Sequence, residues 1–280
     1  MNSAIFLNVL RSIIWRLGRK MYTYARGDGL NDPSSNGEYW LLQHALSTAT
    51  THGVLLDVGA NKGNWAAKAL DVSSALLVPN IHAFEPSEET RLMLAARFAS
   101  NSEVMVEPYA VSNSIGEATF YSHEVGGGTN SLSHVSGLKT ETVKLTTIDH
   151  FLQERGIAAV QILKIDTEGF DLLALRGAEI SLKSGMIEVV QFEYNWRWLL
   201  NNACLRDVFE LMAGKPYCFG KLIGETIEFY DEWHFELDRF FENNYVLIRT
   251  DSKLCALGSK YHFNAANVRV PLEYSRAPTQ

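Results

Sequence analysis

The sequence predicts a doubly wound α/β fold with a mostly parallel sheet, preceded by a helical extension. Three observations predict it. Between residues 53 and 194, short apolar runs rich in β-branched residues alternate with amphipathic helical stretches, the pattern of parallel strands joined by crossover helices. The first run ends in a turn that opens a helix, Asp57-Val58-Gly59-Ala60-Asn61-Lys62-Gly63-Asn64. The composition, 46% hydrophobic and 20% charged over 280 residues, belongs to a chain able to bury its own core, which excludes disorder, collagen-like repeats and disulfide-stapled mini-folds.

The helical extension comes first. Residues 1–27 hold Arg11, Arg16, Arg19, Lys20 and Arg26 and no acid, so this segment carries +5 and leaves −12 for the other 253 residues of a chain with net charge −7. A helical period places Phe6, Leu10, Ile13, Ile14, Leu17 and Met21 on one face and Asn8, Arg11, Ser12, Arg19 and Lys20 on the other. Arg11 interrupts the apolar run, so a membrane-spanning helix is not expected. Nor is a cleaved leader, because no basic stretch precedes the apolar one and no A-x-A site follows it. Two readings stand: the helix packs on its own domain or on the second subunit of a homodimer, or it makes a peripheral contact with anionic membrane. The turn-rich stretch 27–37 reads as a linker. The chain then divides into a basic helix and linker at 1–35 and a main domain at 36–280.

In the main domain, residues 38–48 are predicted helical. Strands are predicted at 54–58, 81–84, 104–106, 160–165 and 186–192, with helices at 62–72, from Ser87 as N-cap to 99, and from the fourth strand to 182. Residues 118–121 and 142–145 read as extended pieces on either side of a Gly126-Gly127-Gly128 hinge. Beyond 200, a helix at 205–213 and a last strand at 245–249 are expected, and 229–241 is rich in aromatics and acids.

The first turn selects the cofactor. A dinucleotide site needs G-x-G-x-x-G, because its second glycine lets backbone approach the pyrophosphate. Here that position is Asn61, and Gly63 comes one residue early. A ligand with a carboxylate and a sulfonium fits better: the helix start after Gly63 can accept the carboxylate and Asp57 can attract the positive charge. Glu85, at the end of the second strand, can accept both hydroxyls of a ribose. S-adenosylmethionine meets these three requirements. A nicotinamide oxidoreductase and a non-catalytic scaffold are the rival classes.

Five segments then resemble the FkbM family of methyltransferases: Leu56-Asp57-Val58-Gly59-Ala60-Asn61-Lys62-Gly63, Phe84-Glu85-Pro86, Ala110-Val111-Ser112 with Gly116, Thr147-Ile148-Asp149-His150-Phe151-Leu152, and Lys164-Ile165-Asp166-Thr167-Glu168-Gly169-Phe170-Asp171. They fall in that family's order within residues 36–195. The resemblance implies a class I methyltransferase fold, Rossmann-like with a seven-stranded sheet, S-adenosylmethionine as donor, and a hydroxyl oxygen as acceptor. Acceptors across the family include polyketides, glycans and other natural products; some members resemble N-methyltransferases of peptide amides. Asn36-Gly37-Glu38 resembles a family element that closes over the cofactor.

Candidate cofactor contacts are therefore Glu38, Asp57, the turn residues Gly59, Ala60, Asn61, Gly63, Asn64 and Trp65, then Glu85 and Pro86, with Tyr109 and Ala110 against the adenine by fold analogy. The methyl group is expected beyond the end of the fourth strand, beside Asp166, Glu168 and Lys164, the last on the same pleat face as Asp166. Asp166 is expected to act as base or orienter and Glu168 as its partner, although an acid there could also serve the following helix. Residues 127–134 read as a lid in which Ser131 would touch substrate and His134 could take a proton. Glu193, Asn195 and Trp196 are expected on the substrate side. The histidines show no metal-ligand spacing, so no metal is expected. Cys204, Cys218 and Cys255 form no C-x-x-C pair, which suits a reducing, cytoplasmic setting. An isoelectric point near 5.6 speaks against a nucleic-acid partner.

Overall fold

The computed structural model describes residues 3–28, 31–48, 52–73, 77–122 and 139–272. Helices α1 (Ser3–Arg26) and α2 (Glu38–Ser47) precede strand β1 (Val54–Val58). There follow α3 (Asn64–Val72), β2 (Asn80–Phe84), α4 (Glu88–Arg97), β3 (Val104–Glu107), β4 (Tyr109–Val111), β5 (Gly116–Ser122) and β6 (Lys139–Thr146). Next come α5 (Ile148–Arg155), β7 (Val160–Ile165), α6 (Asp171–Arg176), α7 (Glu179–Lys183), β8 (Ile187–Tyr194) and, after a 3-10 turn at Trp196–Asn201, α8 (Leu205–Met212). The chain continues through β9 (Tyr217–Leu222), β10 (Ile227–Tyr230), β11 (Asn243–Arg249), β12 (Gly258–Phe263) and β13 (Arg269–Pro271).

The main sheet runs β13-β12-β10-β9-β11-β8-β7-β1-β2-β3. From β3 through β8 it is parallel, and β11 runs antiparallel to both β8 and β9. The doubly wound α/β fold is thus present, but the sheet has ten strands where the family resemblance implies seven: β10, β12 and β13 continue it beyond β9. Strands β4, β6 and β5 make a separate small sheet, which accounts for both extended pieces between β3 and β7.

Because strands are buried on both sides, alternate residues serve two cores. Leu56, Val58, Leu163, Ile165, Val190 and Phe192 pack with Phe151 of α5, Leu175 of α6 and Val208 of α8. Leu55, Ile162 and Val189 pack with Leu41 and Leu42 of α2 and Ala66 and Ala69 of α3. The helix expected between β7 and 182 is two helices. A side chain at Gly177, between them, would overlap the Ser112 carbonyl, so the backbones meet there at glycine distance. Ser87 stands at the N-cap of α4 but its side chain makes no capping bond; its amide serves Glu85 instead.

Helix α1 forms as expected and packs in an unexpected sense. The domain receives Arg19, Tyr22 and Arg26, while the apolar face, including Ile13, Ile14, Leu17 and Met21, stays exposed. The helix does meet its own domain, as one branch of the first sequence reading has it, but through its polar side near the C-terminal end.

Candidate active site

Register builds the first part of the site. Asp57 of β1 lies opposite Lys164 of β7, and Lys164 opposite Gln191 of β8. Residues opposite one another share a face, so these three polar side chains form a row across the middle of the sheet, on the side covered by α2 and α3. Lys164 Nζ donates to Asp166 Oδ2 at 3.1 Å and stands 3.8 Å from Asp57 Oδ1. Gln191 Nε2 donates to Glu38 Oε2 at 2.9 Å and to Asn244 Oδ1 at 3.2 Å. Glu38 arrives on the first turn of α2, its amide donating to Asn36 Oδ1 at 2.9 Å.

Burial opposes the charge on Lys164, yet Asp166, Asp57 and Glu38 together hold its pKa well above the ordinary lysine value. Burial pushes Asp57 up to about 6 against the pull of Lys164, and raises Glu38 in the same way. Three carboxylates thus face one ammonium, and the surplus is negative. Such a cluster can hold a cationic group of a ligand.

The order of strands reverses between β1 and β7, and a cavity opens there at their carboxyl ends, where open α/β sheets bind ligands. The turn after β1 carries three left-handed residues, Gly59 (φ 81°), Asn61 (φ 49°) and Gly63 (φ 75°). At Gly59 a side chain would overlap the Asp166 carbonyl oxygen, so the ends of β1 and β7 approach closely. At Gly63 it would overlap Leu94 of α4 and Phe98 just after it. The amides of Gly59 and Ala60 both donate to the Phe84 carbonyl, which ties the turn to the end of β2.

Glu85 follows directly. It is buried, and each of its oxygens accepts one backbone N–H: Oε1 from Ser87 at 2.9 Å and Oε2 from Asn61 at 3.0 Å. Burial pushes its pKa up to about 7, opposed by those two amides. A carboxylate has about four acceptor positions, so two remain for ligand hydroxyls. Glu85, Pro86, Tyr109, Ala110, Gly59, Asn61 and Asp166 all line the cavity, as the sequence reading placed them. The other cofactor candidates do not: Glu38 and Asp57 stay buried in the cluster around Lys164. Asn64 Oδ1 accepts from Arg97 at 2.7 Å, Ala60 and Trp65 are core residues, and Gly63 packs on α4. They shape the turn from behind.

At the other end of the cavity, Glu168 (φ 56°) and Gly169 (φ 101°) swing the chain out of β7. Glu168 Oε2 lies 2.9 Å from Arg197 Nη1. Burial and the Asp166 charge push Glu168 up to about 8, with Arg197 opposing. Burial also drives Asp171 to about 7 and raises Glu193 well above the ordinary range. Lys164 is buried beneath Asp166, which makes it a positioning residue. Asn195 is buried and fully engaged, donating to Glu193 Oε2 at 3.0 Å and accepting from the Arg197 amide at 2.8 Å. It braces the rim, and Trp196 beside it is exposed, its ring 5.2 Å from the Arg197 guanidinium. Ser131 and His134 lie outside the described residues.

Sequence reasoning missed Gln191, Asn244, Thr90, Phe120 and Phe170; the first two belong to the charged cluster and the last three line the cavity. Gln191 left a signal, a lone amide inside the run Val189-Val190-Gln191-Phe192. Phe120 left none, because it reaches the cavity only through the small sheet.

Comparison with known proteins agrees with this picture. The sequence model of the methyltransferase FkbM domain matches residues 57–245. Over 160 residues the chain is 27% identical to the hexuronic acid methyltransferase AglP of Haloferax volcanii, a match covering 55% of this chain and 62% of that protein. Among solved structures, methyltransferase FkbM from Methylobacillus flagellatus KT aligns over 84% of this chain and 60% of its own, with 15% identity and TM-score 0.45. A SAM-dependent methyltransferase from Agrobacterium tumefaciens aligns over 76% and 61%, with 12% identity and TM-score 0.40. The chain spans less than two thirds of the length of each of these relatives.

Proposed function

Because this chain belongs to the FkbM methyltransferase family, we propose that it transfers a methyl group from S-adenosylmethionine to a hydroxyl oxygen of a glycan or other polyhydroxylated small molecule. The observation that carries the reading is Glu85, a buried carboxylate fixed by two backbone amides with two acceptor positions left, set in a cavity whose far wall ends at Asp166. A ribose diol suits the first and a sulfonium the second. Charge supports it as well, since Asp57, Asp166 and Glu38 outnumber Lys164 and a ligand with an ammonium and a sulfonium would compensate them.

When bound, the cofactor supplies an electrophilic methyl carbon; the rest falls to the chain. Glu85 holds the ribose, and Ala110, Val111 and Phe120 give the base an apolar wall; the buried carboxylates Asp57 and Glu38 do not line the cavity and attract the ammonium through their charge. Glu168 accepts the proton of the acceptor hydroxyl, because a base works best with a pKa near the operating pH and Glu168 stands at about 8. Asp166, tied to Lys164, orients the hydroxyl. Trp196 offers an aromatic face to a sugar ring at the rim.

AglP is named for a hexuronic acid, and glycan methylation is the reading we carry over. A neutral sugar suits this site better than a uronate, because Glu168, Asp171, Glu193 and Glu242 stand together with Arg197 already paired to Glu168. The test is label transfer from methyl-labelled S-adenosylmethionine to matched neutral and uronate glycosides. An ether-linked label on the neutral acceptors supports the proposal. Label on amide nitrogen of a peptide acceptor, with none on the glycosides, would refute it.

A further inference from the structure

The 24 residues of α1 form a rod about 36 Å long in which every residue from Leu7 to Tyr22 is exposed. Its base is clamped. Tyr22 Oη donates to Glu236 Oε2 at 2.8 Å, and the Arg26 guanidinium binds both Asp28 and Glu236. Lys221 donates to the Arg26 carbonyl at 3.0 Å, Arg269 to that of Ala25 at 3.1 Å, and Asn243 to that of Gly27 at 2.6 Å. Three donors thus satisfy carbonyls at the end of the helix, where the macrodipole favours positive charge. The side of α1 that meets the domain carries Arg19, Tyr22 and Arg26.

The opposite side carries Leu10, Ile13, Ile14, Leu17, Met21 and Tyr24, a continuous stripe at helical spacing. Ile14 is 60% exposed, Met21 63% and Tyr24 87%. Soluble monomers seldom leave such a stripe in water. Arg11 and Lys20 flank it on either edge, with Arg16 further round, all exposed. Among the described residues no helix is long and apolar enough to cross a membrane.

We propose that α1 lies in the surface of an anionic lipid bilayer, its stripe among the acyl chains and Arg11, Arg16 and Lys20 at the headgroups. Charge decides in favour of lipid. A second copy of α1 could match the stripe, but residues 1–27 contain no acid, so two such helices would bring only cations to both flanks. Anionic headgroups supply the missing counter-charge, and cations flanking a broad apolar face are what an in-plane helix presents. The clamp fixes the lipid-bound helix to the domain, and it adjoins the Glu38 cluster: Asn243 holds Gly27, while Asn244, next in sequence, accepts from Gln191.

The test is cosedimentation of the full chain with phosphatidylcholine vesicles and with vesicles containing phosphatidylglycerol. Binding to the anionic vesicles is expected to exceed binding to the neutral ones by about tenfold or more, and to weaken with salt. Ile14→Asp with Leu17→Asp should abolish it. Arg11→Gln, Arg16→Gln and Lys20→Gln together should remove the preference for anionic lipid. All five positions are exposed, so the variants should keep the wild-type thermal midpoint. Three results would overturn the proposal: no sedimentation with anionic vesicles, sedimentation that survives the aspartate variant, or a dimer by light scattering that the aspartate variant dissolves without any vesicle binding.

Discussion

Replacing Glu85 by Gln separates the role of its charge from its role in the fold. In the ligand-free protein the Glu85 carboxylate is costly: a pKa of about 7 instead of 4.5 corresponds to about 3 kcal/mol against the ionised form. Glu85→Gln removes that cost. It also turns one N–H acceptor into a donor, so either the Ser87 or the Asn61 amide loses its bond, a penalty of about 1–3 kcal/mol. The two effects nearly cancel, and the thermal midpoint at pH 8 should stay close to wild type. Ligand binding has no such compensation. Hydrogen bonds from ribose hydroxyls to a charged acceptor are each worth about 1.5–3 kcal/mol. Losing one and neutralising the other should cost about 2–3 kcal/mol, or about 30–150-fold in the Kd of S-adenosylhomocysteine measured by calorimetry. In the wild type that affinity should fall as pH drops below about 7, where Glu85 becomes protonated. A Glu85→Gln protein that binds the ligand within about threefold of wild type at pH 8 would refute the assignment.

Other positions give further predictions. Gly59→Ala forces a side chain into the Asp166 carbonyl at a left-handed residue, and should lower stability by about 3 kcal/mol or more in chemical denaturation; an unchanged midpoint would mean that β1 and β7 do not meet as described. Lys164→Met leaves Asp57, Asp166 and Glu38 without their cation, and breaking a buried pair costs about 3–5 kcal/mol. Burial already raises the pKa values of Asp57 and Glu38, so they take up protons readily as pH falls and the deficit in thermal midpoint should shrink toward pH 5. A deficit independent of pH would contradict this. For turnover, a base at about 8 means that the wild-type rate should rise about tenfold per pH unit below 8 and level off above it. Glu168→Gln should lose that inflection and about 10²–10⁴-fold in kcat while keeping affinity for S-adenosylhomocysteine, and a retained inflection would move the base elsewhere.

The parts of the site that sit at strand ends were legible in the sequence. β1 and β7 were readable with their bounds, because runs of five and six residues with four apolar ones each, closed by turn residues, leave little choice, and Asp57, Glu85 and Asp166 follow from where those runs stop. What depended on register was not legible. Gln191 gains its meaning from lying opposite Lys164, and Phe120 from a three-stranded sheet with non-local pairing. After residue 215 only β11 was legible, and it is not the last strand, since β12 and β13 follow it; β9 and β10 were obscured by their own buried charges. Lys221 interrupts the apolar pattern of β9 because Asp28, 193 residues away, is its partner, and Glu228 does the same in β10 because Arg269 reaches it. Ser87 stands at the expected N-cap of α4 yet makes no side-chain capping bond, and its contribution to the site is its amide, which donates to Glu85. In α1 the amphipathic pattern was plain, but it cannot say which face the domain receives. Arg19, Tyr22 and Arg26 found partners in Phe241, Glu236 and Asp28, and so the polar side packs inward.

The central claim is that the bend after β1 and the acid after β2 together grip an adenosyl ligand. Titration calorimetry of the wild-type chain tests it most directly. The account predicts one site per chain for S-adenosylhomocysteine and for S-adenosylmethionine, with NADH giving no heat. Folded protein that gives no heat with either adenosyl compound, or that binds NADH in their place, would contradict it.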